Sequence, residues 1–249
     1  MSRYVKAELA LKHTIIYTDE DGKYFRFSGG TWAWRNHNPG NLVPGSISAR
    51  HNQIGRAKIS KTQCFAIFPD YENGHVALLD CLLSTYGESS IDELVKYYAP
   101  EKDGNNIKKY REFLHNATGV NDDKKVKDFT PNEFDKLWHA IEKMEGYKEG
   151  AIVEVFPVIQ VHKNKNGIYD LNVKTKGWAS KEECITLTKQ GGLDLIICRS
   201  PQGHEYLRAR ASSSINGSLD KLVLKDRNKN FNEEHVSQET NKEKMDVLY

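Results

Sequence analysis

SGGTWAWRNHNPGNL, residues 28–42, is the least regular segment of this chain, and the elements on either side depend on what holds it. It contains three glycines, two tryptophans, an arginine, a proline and three asparagines, with no apolar period. Glycine and proline oppose helix and strand interiors, and asparagine amides compete for backbone partners. The segment is therefore expected to be a loop fixed by its own side-chain hydrogen bonds and by its neighbours. Trp32 and Trp34 flank Ala33, so an extended entry puts both indoles on one face.

Upstream, YVKAELALK from Tyr4 to Lys12 reads as a short amphipathic helix with Val5 and Leu9 inward. TIIY and YFRF then flank Asp21 and Gly22 as a β-hairpin. Downstream, a polar connector over 43–62 leads to a short strand at 65–68. Asp70 follows as an N-cap, and a helix over 71–86 buries Val76, Leu79, Leu82 and Leu83. Ser90 opens another helix that Pro100 stops, and Gly119 ends the next. Thr130, Pro131 and Glu133 make a capping box and first helical turn ahead of the stripe Phe134, Leu137, Trp138, Ile141 and Met144. That stripe reads as core.

Near Gly150 the pattern changes to short β-rich runs with one helical stretch over 180–190. Three regions result: 1–150, a helical domain with a β-hairpin; 151–224, a small β-rich α+β domain; and 225–249, a polar tail poor in apolar residues and expected to be disordered. The fold class is α+β.

Composition excludes several functions. A net charge of +2 gives no overall attraction for nucleic acid or an anionic membrane. No run approaches the length of a membrane span, so membrane insertion is not expected, and the N-terminus lacks the apolar core and cleavage site of a signal peptide. Synthesis in the cytoplasm follows, with delivery elsewhere left to other machinery. Cys64, Cys81, Cys184 and Cys198 have no CxxC spacing and read as small buried residues. His13, His37, His51 and His75 lie outside any HExxH or HxxxH frame, so no metal and no cofactor are expected. A Cys-His hydrolase pairing Cys64 or Cys81 with His75 or His37 is the enzymatic competitor.

Indole faces stack on sugar rings and amides read hydroxyls, so the 28–42 loop suits a carbohydrate cleft. Trp32, Trp34, Arg35, Asn36, Asn38, Asn41 and Tyr98 are the candidate binding residues. Their alternative roles are structural: Asn36, Asn38 and Asn41 pinning backbone, Arg35 pairing with a carboxylate, and Tyr98 filling core.

ELALKHTIIYTDEDGKYFRFSGG resembles the start of phage-type lysozymes, and that resemblance implies Glu8 as the acid and Asp19 as the assisting carboxylate. FSGGTWAWRNHNPGNL, IGRAK, FAIFPDYENGHVALLDCL and IDELVKYYAPEKDGNN, in that order, resemble phage and secreted bacterial proteins carrying an (N/H)NPGN signature, regarded as lysozyme-like peptidoglycan hydrolases. The likeness spans about residues 14–146 and implies a muramidase or lytic transglycosylase acting on the link between N-acetylmuramic acid and N-acetylglucosamine. It implies action at the periplasm or cell wall as a phage lysin or antibacterial effector, with an immunity protein or a secretion or virion component as partner. The 156–224 region resembles a small bacterial domain of unknown function.

Such chemistry needs one acid kept protonated by burial; a second carboxylate serves as nucleophile or base, and here Asp19, Glu20 and Asp21 compete. The competing reading is a non-catalytic wall-binding or structural component of a virion or secretion machine.

Overall fold

The computed structural model describes residues 3–10, 13–99, 106–121, 123–163, 169–174 and 176–209. The expected tail, and residues 100–105 of the PEKDGNN segment, lie outside them. The chain is a mixed α+β protein that divides into two compact units, Met1–Val155 and Phe156–Tyr249.

In the first unit, β2 (Thr14–Asp19) and β3 (Tyr24–Ser28) form the expected hairpin around Asp21 and Gly22. The N-terminal segment is not the expected helix. It is a strand, β1 (Tyr4–Ala10), antiparallel to β2. Ala, Glu, Leu and Lys favour a helix locally, but this segment covers an otherwise open hairpin edge, and pairing overrides propensity. A register irregularity between Tyr4 and Lys6 sets Val5 outside, 51% exposed, and lets Tyr4 join Ala7 and Leu9 on the inner face. On the other edge β6 (Ala151–Val155) pairs with β3, giving the antiparallel order β1-β2-β3-β6. With β6 paired to β3, the first compact unit closes at Val155.

The loop region is less extended than expected. Residues Trp32–Arg35 form one helical turn, α1, whose cap Thr31 accepts the Trp34 N–H. Trp34 is therefore buried against Phe27 while Trp32 is only half-buried, and the two indoles do not share a face. The connector over 43–62 also has structure. It contains α2 (Ser46–Arg50) and β4 (Gly55–Lys58), which pairs with β5 (Cys64–Ile67). Elements of four or five residues are too short to carry a readable period.

Next come α3 (Tyr71–Asp80), a π-helical turn at Cys81–Thr85, α4 (Ile91–Tyr98), α5 (Ile107–Thr118) and α6 (Pro131–Glu145). The caps follow the sequence: Asp70 accepts the Asn73 N–H at 2.8 Å, Ser90 and Thr130 form capping boxes, and Gly119 turns left-handed. The phase of α3 differs from expectation. Ala77, Leu78 and Leu82 face inward, whereas Val76 and Leu83 are 37% and 51% exposed. Leu78, Leu82, Leu94, Leu114, Leu137 and Ile141 form the helical core. A second core under the sheet gathers Ile15, Tyr17, Phe27, Trp34 and Ile67.

Asn38 joins the loop to both layers. Its amide N–H group donates to the Leu42 and Ala66 carbonyls at 2.9 and 3.0 Å, and its Oδ1 accepts the Leu42 N–H at 2.8 Å. All three bonds are buried, and although the Leu42 carbonyl keeps the Ala66 N–H at 2.8 Å, Asn38→Ala strands the Leu42 N–H and takes a donor from the Ala66 carbonyl, each group left unpaired costing about 1–3 kcal/mol. We expect that variant to lose roughly 3 kcal/mol in urea unfolding at unchanged m-value. A loss below about 1 kcal/mol would show that the loop holds itself without the amide.

The second unit has a three-stranded sheet of β7 (Val158–Lys163), β8 (Tyr169–Val173) and β9 (Gly177–Ala179), a helix α7 (Lys181–Lys189), and a hairpin of β10 (Leu195–Arg199) and β11 (Glu205–Ala209). Val158, Val161, Leu171, Val173, Cys184, Leu193 and Leu195 are its core.

Candidate functional site

The three N-terminal carboxylates have separate surroundings. Glu8 lies on β1 rather than on a helix, its side chain 40% exposed and 3.4 Å from Lys6 Nζ. Asp19 is buried, and its Oδ1 accepts the Lys23 N–H at 2.8 Å while its own N–H donates to the Lys23 carbonyl. It closes the hairpin turn. Glu20 is exposed and accepts the Arg3 N–H at 3.2 Å.

The loop residues face inward more than outward. Arg35 is buried; its Nη1 donates to the Gly29 and Gly30 carbonyls, and its guanidinium lies 4.2 Å from the centre of the Trp32 ring. Burial lowers its pKa. Gly30 has φ +57°, and a Cβ there would stand 2.5 Å from the Lys148 carbonyl oxygen. Only glycine lets this turn lie against the segment after α6. Asn36 is fully buried, with no hydrogen-bond partner for its amide atoms among the described residues. Tyr98 donates its hydroxyl to the Gly40 carbonyl from behind the loop.

Asn41 leads to a carboxylate that the sequence reading missed. Its Nδ2 donates to Glu145 Oε2 at 2.9 Å, and Tyr110 of α5 donates its hydroxyl to Glu145 Oε1 at the same distance. Burial pushes the Glu145 carboxyl above its ordinary value, and the two hydrogen bonds pull it partway back. Asp80, Glu93, Glu133, Glu183 and Glu205 all move the other way. One helical turn earlier, Glu142 accepts the Tyr71 hydroxyl at 2.8 Å, and burial raises the Tyr71 pKa, with Glu142 adding to it. Residues three apart on a helix share a face, so Glu142 and Glu145 are neighbours.

Both glutamates occupy the last turn of α6, at the negative end of the helix dipole. That location costs stability and disfavours ionisation. EKMEG, two carboxylates ahead of the glycine stop, was the signal available in the sequence.

The competing nucleophile is poorly suited. All four cysteines are free, and burial pushes the Cys81 thiol up to about 11, leaving little thiolate. Among the described residues no group of three or more His, Cys, Asp or Glu is arranged to hold a metal ion, and no helix is long and apolar enough to cross a membrane. No model of a known protein family matches this chain, and no curated protein matches it.

Proposed function

We propose that the first unit cleaves the glycan strand of peptidoglycan, with Glu145 as the general acid in place of Glu8. The observation that carries this reading is the half-buried Glu145 carboxyl, its pKa raised, held by Asn41 of the same HNPGN segment that resembles lysozyme-like hydrolases. A raised pKa lets a carboxylic acid hold its proton to higher pH than an ordinary glutamate and deliver it to the glycosidic oxygen as the bond to the anomeric carbon breaks. Glu142 is then the adjacent carboxylate, available to stabilise positive charge on the sugar or to activate water.

A second reading is favoured by the number of bonds these carboxylates already make. Asp19 closes a turn, and both Glu145 oxygens accept donors. A module so arranged could bind wall glycan without cutting it, as part of a virion or secretion component. Incubating the protein with purified sacculi separates the two. Soluble muropeptides with reducing or anhydro ends are the expected result; sedimentation with sacculi and no released fragment would leave the binding module.

A further inference from the structure

Beyond the two glutamates, aromatic rings from α3, α6 and Tyr147, which follows α6, meet one another in turn. Tyr147 meets Tyr71 edge-on at 5.2 Å, Tyr71 stacks on His75 at 5.7 Å with planes 6° apart, His75 meets Trp138 at 4.4 Å, and Trp138 stacks on His139 at 3.4 Å. Tyr71 and His75 are four apart on α3, so their alignment follows from the helical repeat. Tyr71, His75, Trp138 and Tyr147 are partly exposed, and the side chain of His139 is 58% exposed.

Trp138 packs against the helical core and Tyr147 against the core under the sheet, and the row they belong to is partly exposed and also carries polar edges. The Tyr71 hydroxyl is bonded to Glu142, and His75 Nδ1 is buried with no hydrogen-bond partner among the described residues. Aromatic walls with a few fixed polar groups are the usual lining of a small-molecule site.

We infer that this row is a subsite for an amino-sugar oligosaccharide, running from the Glu142 and Glu145 pair along α6 to His139. Sugar rings of such a chain present apolar C–H faces to the aromatic rings, while hydroxyls and N-acetyl groups meet Glu142, Tyr71 and His75. The inference rests on the proposed glycan substrate for the identity of the ligand, but its geometry involves residues other than the acid.

The test uses the full chain carrying Glu145→Gln, so that the ligand is not consumed, and the tetramer of N-acetylglucosamine as probe. Isothermal titration should show saturable binding. His139→Ala, at an exposed position that leaves the core intact, should weaken it about three- to tenfold, the usual worth of one aromatic contact. Tyr71→Phe, which keeps the ring and removes the hydroxyl from Glu142, should weaken it by a similar factor. No binding, or binding unchanged by both substitutions, would overturn the subsite. If the native protein digests sacculi while the tetramer ignores both variants, the subsite fails and the proposed catalysis stands. Tetramer binding that responds to both substitutions, with sacculi left intact, supports the subsite and removes the catalytic assignment.

Discussion

Glu145→Gln is expected to reduce release of muropeptides from sacculi by about 10²- to 10⁴-fold, the usual contribution of a general acid, while the protein stays folded. Glutamine retains the shape of the side chain and one acceptor oxygen. The Asn41 Oδ1, which has no partner among the described residues, can turn toward the new amide N–H. Glu8→Gln serves as the control, since Glu8 is partly exposed and, among the described residues, paired with Lys6, and its removal should leave both activity and stability within experimental error.

The same substitution carries a stability signature of definite sign. The folded state holds a proton on Glu145 more tightly than the unfolded chain does, because burial raises its pKa. Native stability therefore falls as pH rises through the window between the unfolded and folded values, and stays lower above it. Glutamine cannot ionise and avoids that loss. Glu145→Gln should then raise Tm near neutral pH, with the gain shrinking to nothing as pH falls below the ordinary glutamate range. A variant at once inactive and more stable fits a group placed for chemistry; one that is inactive and less stable fits a structural clamp.

Gly74→Ala is expected to cost at least about 3 kcal/mol, at the upper end of overpacking effects, and to lower activity with it. A Cβ at Gly74 would stand 1.8 Å from the His37 carbonyl oxygen and 3.1 Å from Pro39 Cδ. Both neighbours belong to the backbone or ring of the HNPGN segment, so no side chain can rotate away. Helix α3 would have to lift off the loop at His37 and Pro39. Urea unfolding of the variant measures this directly; a loss under about 1 kcal/mol would mean that the loop and α3 are not rigidly joined.

Local signals in the sequence were legible and distant ones were not. The capping box expected at Thr130 and the cap expected at Ser90 both formed, because each needs only a hydroxyl and a glutamate three residues on; Ser180 makes the same box, which had not been anticipated. Asn38 also took one of its two anticipated roles, as a pin for backbone. Segment β1 was misread because its residues favour a helix in isolation, and only the hairpin edge beside it demands a strand. Glu145 was missed because its partners are far away along the chain: Asn41 is 104 positions off and Tyr110 is 35. Periodicity assigns α6 a buried stripe and treats its charged residues as solvated, so nothing local marks one of them as dehydrated. The loop itself was recognised as special. Its amides, however, turn toward the protein interior, where Asn38 pins backbone and Asn41 meets the Glu145 carboxylate.

The protonation of Glu145 is the most direct test of the account. Carbon-13 NMR of the glutamate side-chain carboxyl, titrated from acid to neutral pH and assigned by its loss in Glu145→Gln, gives the value for this group alone. The account predicts a midpoint above the ordinary glutamate range of about 4.3. A midpoint at or below that range would mean that the hydrogen bonds from Asn41 and Tyr110 outweigh burial, leaving an ionised clamp and no acid at this site.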